Sequence, residues 1–255
     1  DIGVSRGLGD VYKRQLISYA KKYNDKILAS IFVNPLQFDN KDDLENYPIT
    51  LDRDIDQLKK IGCNYLLIPD INILTDIDKI KASKKANELC GKHRPGHFNG
   101  VLTILNKFID EIRPTRMILG RKDYQQYILV KDFVRKNYNS INVIGCETVR
   151  DNNGLALSSR NNHLSSDEKI LASELFKVLQ KIQINYKSLS ENYIRTMTKD
   201  LEKIGFTVDY LVSCDAKTLE KSFDYNTRTI LVAVAAYINN VRLIDNILIN
   251  KLYNF

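Results

Sequence analysis

The sequence predicts an α/β protein in two parts: a parallel-sheet domain over residues 1–162 and a smaller α+β domain over residues 163–255. Three observations carry this reading. Residues 26–33 (KILASIFV) form a nearly continuous apolar run, as expected of a strand buried on both faces. From Leu51 to Cys146 strand-like and helix-like segments alternate, the pattern of a parallel sheet with crossover helices. After Asn162 the order changes to helices followed by strand-like runs.

Each element has a local reason. The first apolar run ends at Asn34-Pro35, a turn signal that puts Asn34–Phe38 at the C-terminal edge of a strand, where open α/β sheets bind ligands. Leu51, Ile55, Leu58 and Ile61 recur at helical spacing, and Gly62 ends that helix. Asn64–Pro69 reads as a short strand, and Asp70–Lys92 is polar without a clear period. Phe98–Ile112 is an amphipathic helix stopped at Arg113-Pro114. Thr115–Leu119 and Ile141–Cys146 are strands on either side of a helix over Asp123–Lys136. Ser165 and Ser166 ahead of Asp167-Glu168 start a helix expected to run to about Gln183, with another over Glu191–Ile204. Three strands follow, Thr207–Cys214, Thr229–Ile238 and Arg242–Leu248, the last two joined by a hairpin turn at Asn239-Asn240.

Composition narrows the partners. No run of 18 uncharged apolar residues occurs, so neither a membrane span nor a membrane partner is expected. The net charge of +7 favours anionic ligands. No block of five basic residues and no basic–aromatic stripe accompanies it, so nucleic acid is not the expected partner. Cys63, Cys90, Cys146 and Cys214 are far apart with no C-x-x-C pair, which suits reduced thiols in a cytoplasmic protein. His93 and His97 have metal-binding helical spacing, but Pro95 and Gly96 between them argue against a helix there.

Five segments carry groups that can do chemistry. At Gly120–Gln126 (GRKDYQQ) a strand ends and a helix opens: glycine admits a ligand close to the backbone, free N–H groups suit an anion, and Lys122 adds positive charge. Asp123 serves equally well as a helix cap there, and Gln126 lies one turn on. In Gly154–Asn161 (GLALSSRN), Ser158, Ser159 and Arg160 make a phosphate clamp or, equally, a polar interdomain loop. Asn34 and Gln37 can both donate and accept, which suits a hydroxy acid, although a plain strand-end turn explains them too. Asp54 and Gln57, following Tyr47-Pro48, share a helix face that can meet Mg²⁺ or simply face solvent. Arg94–Phe98 (RPGHF) shapes the entry to the next helix.

Taken together, SIFVNPLQF, ENYP, RPGHFNGV, GRKDYQQ and TVRDNNGLALSSRN resemble the pantoate–β-alanine ligase family, in that family's order and at about its spacing. The resemblance runs from about Leu16 to the C-terminus. It implies a Rossmann-like nucleotidyltransferase domain that binds ATP and pantoate, a smaller C-terminal domain, and a homodimer. It implies that pantoate is adenylated by MgATP with release of pyrophosphate, and that β-alanine then displaces AMP to give pantothenate. It assigns Gln37 and Gln126 to pantoate, with Asn34 nearby, and Gly120, Lys122, Asp123, Val149, Leu157, Ser158, Ser159 and Arg160 to ATP, with Tyr47 near the nucleotide. Asp54 and Gln57 fall near Mg²⁺, and Lys122 and Arg160 become the catalytic cations that stabilise charge on the phosphates.

The N-terminus departs from that family. Its Pro-Thr-Met-Gly and His-x-Gly-His segments are replaced here by DIGVSRGLGDVYKRQ, and no histidine precedes His93. By position Asp10 and Lys13 stand in for the two histidines. The abrupt loss of likeness predicts that residues 1–15 are foreign, a junction in place of the native start, and that the chain as written has little ligase activity. A catalytically silent protein that binds nucleotide or pantoate is the alternative.

Overall fold

In the computed structural model, residues 2–5, 11–23, 26–38, 44, 51–226 and 228–250 are described. The chain divides into two compact units. One comprises residues 1–121 and 125–147; the other comprises residues 122–124 and 148–255. The change of pattern expected after residue 162 therefore falls inside the second unit, just ahead of the helix that Ser165 caps.

The first unit is built on five parallel strands in the order β3-β2-β1-β4-β5. They are β1 (Ile2–Ser5), β2 (Leu28–Ile31), β3 (Tyr65–Leu67), β4 (Arg116–Gly120) and β5 (Asn142–Cys146). Helices α1 (Val11–Ala20), α2 (Leu51–Lys60), α3 (Leu89–His93), α4 (His97–Ile112) and α5 (Tyr124–Asn137) accompany them. Alternation along the strands splits the core. Ile118 and Cys146 pack with Ile17 and Ala20 of α1 and Leu58 of α2. Met117, Leu119 and Val143 pack with Val101, Leu105 and Ile109 of α4 and Val130 and Val134 of α5. Successive strand residues point to opposite faces, so the two clusters place helices on both sides of the sheet.

The strand order reverses direction between β1 and β4, the kind of crevice in which doubly wound sheets bind ligands. Asn34 follows the C-terminal end of β2, and Gly120 is the C-terminal residue of β4. The segment expected to be foreign supplies the central strand: Ile2–Ser5 pair with Leu28–Ile31 on one side, and Ile2 pairs with Met117 on the other.

The second unit packs helices α6 (Ser166–Ala172), α7 (Glu174–Ile184) and α8 (Glu191–Lys203) against a three-stranded antiparallel sheet in the order β6-β7-β8. The strands are β6 (Thr207–Asp215), β7 (Ile230–Ile238) and β8 (Val241–Ile249). Ser165 and Glu168 form the expected capping box. The single helix expected to follow is two, divided at Ser173, whose hydroxyl donates to Ile170 O at 2.6 Å. Asn239 turns the β7–β8 hairpin with φ of 50°, a left-handed conformation that asparagine tolerates. None of the four cysteines, all of them described, forms a disulfide.

Candidate functional site

The turn after β2 is held rigidly from within the first unit. Asn34 is buried; its Oδ1 accepts from Leu36 N at 3.1 Å, capping the 3-10 turn Pro35–Gln37, and its Nδ2 donates to Gly100 O at 3.0 Å. Both ends of its amide are thus engaged inside the protein, so Asn34 shapes the turn. The backbone carbonyl of Gln37 accepts from Arg94 Nη2 at 3.2 Å, and His97 Nδ1 lies 2.6 Å from the same oxygen. A carbonyl only accepts, so His97 Nδ1 carries the proton. Arg94 and His97, which the sequence marks only as a helix entry, thereby fix Gln37. Its side-chain amide makes no hydrogen bond among the described residues. His93 and His97 end and begin separate helices, α3 and α4, with Gly96 at φ of 81° between them.

Gln126 sits half-buried in the first turn of α5. Its neighbour Gln125, which sequence reasoning passed over, is buried and donates to Lys85 O (2.8 Å) and Glu88 O (2.6 Å). Gln125 therefore ties residues 85–88 to the start of the helix that carries Gln126. Gly120 ends β4 with open space where a Cβ would stand: apart from its two chain neighbours, no atom of the described residues lies within 4 Å of that point. Neither its φ nor these surroundings require glycine there.

Arg121 and Lys122 are adjacent cations with different surroundings. Arg121 is anchored to the end of β5, donating to Gly145 O at 3.1 Å and pairing with Glu147 at 2.8 Å. Lys122, within the second unit, lines a small, partly open pocket together with Ser158, Arg160, Asn161, Arg242 and Asp245. Asp123 is exposed beside it. Three cations, a hydroxyl and an amide line this pocket beside the Asp245 carboxylate, and Arg242 among them pairs with Asp209 at 2.8 Å, a set whose net chemistry suits an anion.

The loop that shapes this pocket is cross-braced. Val149 O accepts from Leu157 N at 2.9 Å, and Arg150 bridges to Ala156. Ser158 Oγ accepts from Arg160 N at 3.3 Å and caps a 3-10 turn over Ser159–His163, so Ser158, Ser159 and Arg160 enter it in a set geometry. Asn161 is buried; Nδ2 donates to Ala156 O, while Oδ1 has no hydrogen-bond partner among the described residues. Arg150 makes a forked pair with Asp245, at 2.5 and 2.9 Å, and stacks on Phe176 with its guanidinium 3.5 Å from the ring centroid. Burial pushes the Asp245 carboxyl above its ordinary range, against the pull of Arg150, the Asn246 N–H and Lys122. Asp245 and the other polar residues of β8 were missed in sequence reasoning. The signal that could have found them is an Asp-Asn pair inside an otherwise apolar strand, VRLIDNILI.

Asp54 is buried on α2, and one turn on the Oε1 of Gln57 is sealed from solvent without a hydrogen-bond partner among the described residues. Two oxygen donors on one helix face suit a hard divalent cation that draws its remaining ligands from phosphate and water. No group of three or more metal-binding side chains occurs among the described residues. Tyr47 and Asp10 lie outside the described residues.

The family model for pantoate–beta-alanine ligase matches residues 13–248. The pantoate–beta-alanine ligase of Schizosaccharomyces pombe is 38% identical over 240 residues, covering 91% of this chain and 84% of that protein. A pantothenate synthetase of Buchnera aphidicola subsp. Acyrthosiphon pisum is 40% identical, covering 96% and 90%. The crystal structure of pantothenate synthetase from Thermus thermophilus superposes with a TM-score of 0.90 at 30% identity, covering 96% and 91%. That of the Francisella tularensis ligase, complexed with beta-gamma ATP and beta-alanine, gives 0.79 at 33% identity, covering 97% and 88%. No helix among the described residues is long and apolar enough to cross a membrane.

Proposed function

Since the chain belongs to the pantoate–beta-alanine ligase family, we propose that it condenses pantoate with β-alanine at the expense of ATP. The observation that carries the reading is the gathering of Lys122, Ser158 and Arg160 around one pocket, a geometry suited to a polyphosphate.

In this reading residues 1–162 form the ATP- and pantoate-binding region and residues 163–255 the smaller C-terminal region. Gln126 and the rigidly held Gln37 bind pantoate through their amides, and Asn34 keeps Gln37 in place. Gly120 gives the nucleotide room, and Asp123, Val149, Leu157, Ser158 and Ser159 complete its binding set. A pantoate carboxylate oxygen attacks the α-phosphorus of ATP; a P–O bond forms and the bond to pyrophosphate breaks. Lys122 and Arg160 stabilise the negative charge that develops on the phosphate oxygens. The β-alanine amine then attacks the acyl carbon and gives up a proton, and AMP leaves with the electron pair of the broken C–O bond. Asp54 and Gln57 fit a Mg²⁺ ion, which would supply further charge neutralisation to the phosphates. The working species is a cytoplasmic homodimer.

The absence of any histidine before His93 favours a slow enzyme or a silent binder. Calorimetry with ATP and with pantoate, followed by an assay of AMP release dependent on both pantoate and β-alanine, separates the readings. Slow AMP release that needs both acids supports the ligase. Binding without AMP indicates the silent protein, and failure to bind either ligand sinks both.

A further inference from the structure

The three-residue stretch Lys122–Tyr124 joins the second unit although its chain neighbours on both sides belong to the first. A specific contact accompanies this. Asn246, buried in β8, donates its side-chain Nδ2 to the backbone carbonyl of Lys122 at 2.9 Å, across 124 residues of sequence. Next to it, Asp245 lines the same pocket as Lys122, and Arg150 holds Asp245 by a forked pair. Asn246 N donates to Asp245 Oδ1 at 2.7 Å, which joins the two side chains into one unit.

Resting on the ligase reading above, we propose that Asn246 is a positioning residue for Lys122. Lys122 lies in a 3-10 turn of three residues, Arg121–Asp123, between the end of β4 and the start of α5. A lysine ammonium sits on a four-carbon stem and serves as a point charge, so its value to a phosphate depends on where its backbone is placed. The Asn246 amide sets that origin. The Asp245–Arg150 pair keeps a fixed charge arrangement beside the stem without drawing Lys122 into an ion pair among the described residues. β8, the last strand among the described residues, thus helps to build the phosphate end of the site.

Calorimetric titration of the full chain with ATP in the presence of Mg²⁺ tests this. The panel is the unaltered protein, Asn246→Leu, Asn246→Ser, Lys122→Ala and the Lys122→Ala/Asn246→Ser double variant. Each Asn246 variant is expected to bind ATP about tenfold more weakly, the scale of one lost charged contact. With Lys122 truncated, Asn246→Ser is expected to cause no further loss, because the group it positions is gone. A purely structural role would weaken binding equally in both backgrounds, and that result overturns the proposal. ATP affinity unchanged by either Asn246 substitution overturns it too. The serine variant removes bulk rather than adding it, so it carries the test if the leucine variant does not fold. An unaltered protein that does not bind ATP would remove the ligase reading and this inference together, whereas normal binding with insensitive Asn246 variants removes only the inference.

Discussion

Single residues in this chain divide into those that face a ligand and those that hold them. In the proposed function Gly120 belongs with the first. Its Cβ position is open and its backbone does not call for glycine, so Gly120→Ala is expected to leave the melting temperature unchanged. The same methyl group enters the space assigned to the nucleotide and is expected to weaken ATP binding about tenfold. A stability change without an affinity change would place Gly120 in the scaffold instead. Asp215 belongs to the scaffold. Burial by itself raises its carboxyl, but N–H groups of Thr218 and Lys217, each at 2.8 Å, together with Arg228 pull it below the ordinary value. A carboxyl depressed on folding adds stability above its unfolded pKa, about 3.9, and loses it as pH falls through the lower folded value. Asp215→Asn removes that titration. Its urea midpoint is therefore expected to drop less than the parent's between about pH 5 and pH 2, and parallel curves would refute the assignment.

At the scale of elements, the Pro35–Gln37 turn is held tightly against α4. A Cβ at Gly100 would stand 2.0 Å from Leu36 O and 2.8 Å from Gln37 N, both backbone atoms that cannot swing aside. Gly100→Ala is expected to cost about 1–3 kcal/mol in urea denaturation and to weaken pantoate binding, because the turn must lift from the helix. An unchanged midpoint would show that the turn moves freely. Much of this level was legible beforehand. The helix over Phe98–Ile112 and the strands around Met117 and Val143 show their apolar period plainly, since local burial on one face imposes it. The break at Ser173 was not legible. No glycine or proline marks it, and the apolar positions Leu171, Ala172 and Leu175 continue across it toward the same core.

At the scale of the whole molecule, the family and the activity stand on different footings. Most of the chain matches pantoate–beta-alanine ligases, and the central strand of the first sheet is formed by Ile2–Ser5. Backbone pairing asks only for a short extended segment, so a sequence unlike the family's can fill that place. Chemistry asks for particular side chains, and histidine is absent before His93. AMP release by the chain as written is therefore expected to be slow. Grafting a His-x-Gly-His segment ahead of α1 is expected to raise it at least about tenfold. No gain from the graft would mean that the loss lies elsewhere.

The sequence by itself determined the α/β class, most element positions and the segments that carry Gln37, Lys122, Gln126 and Arg160, because each rests on local period, turn chemistry or a contiguous motif. Only the tertiary structure decided how those residues are supported. The Arg94 and His97 grip on Gln37, the Gln125 tie and the Asn246 bond to Lys122 all join residues distant in sequence. Such hydrogen bonds follow from which surfaces pack together, and no local pattern encodes them.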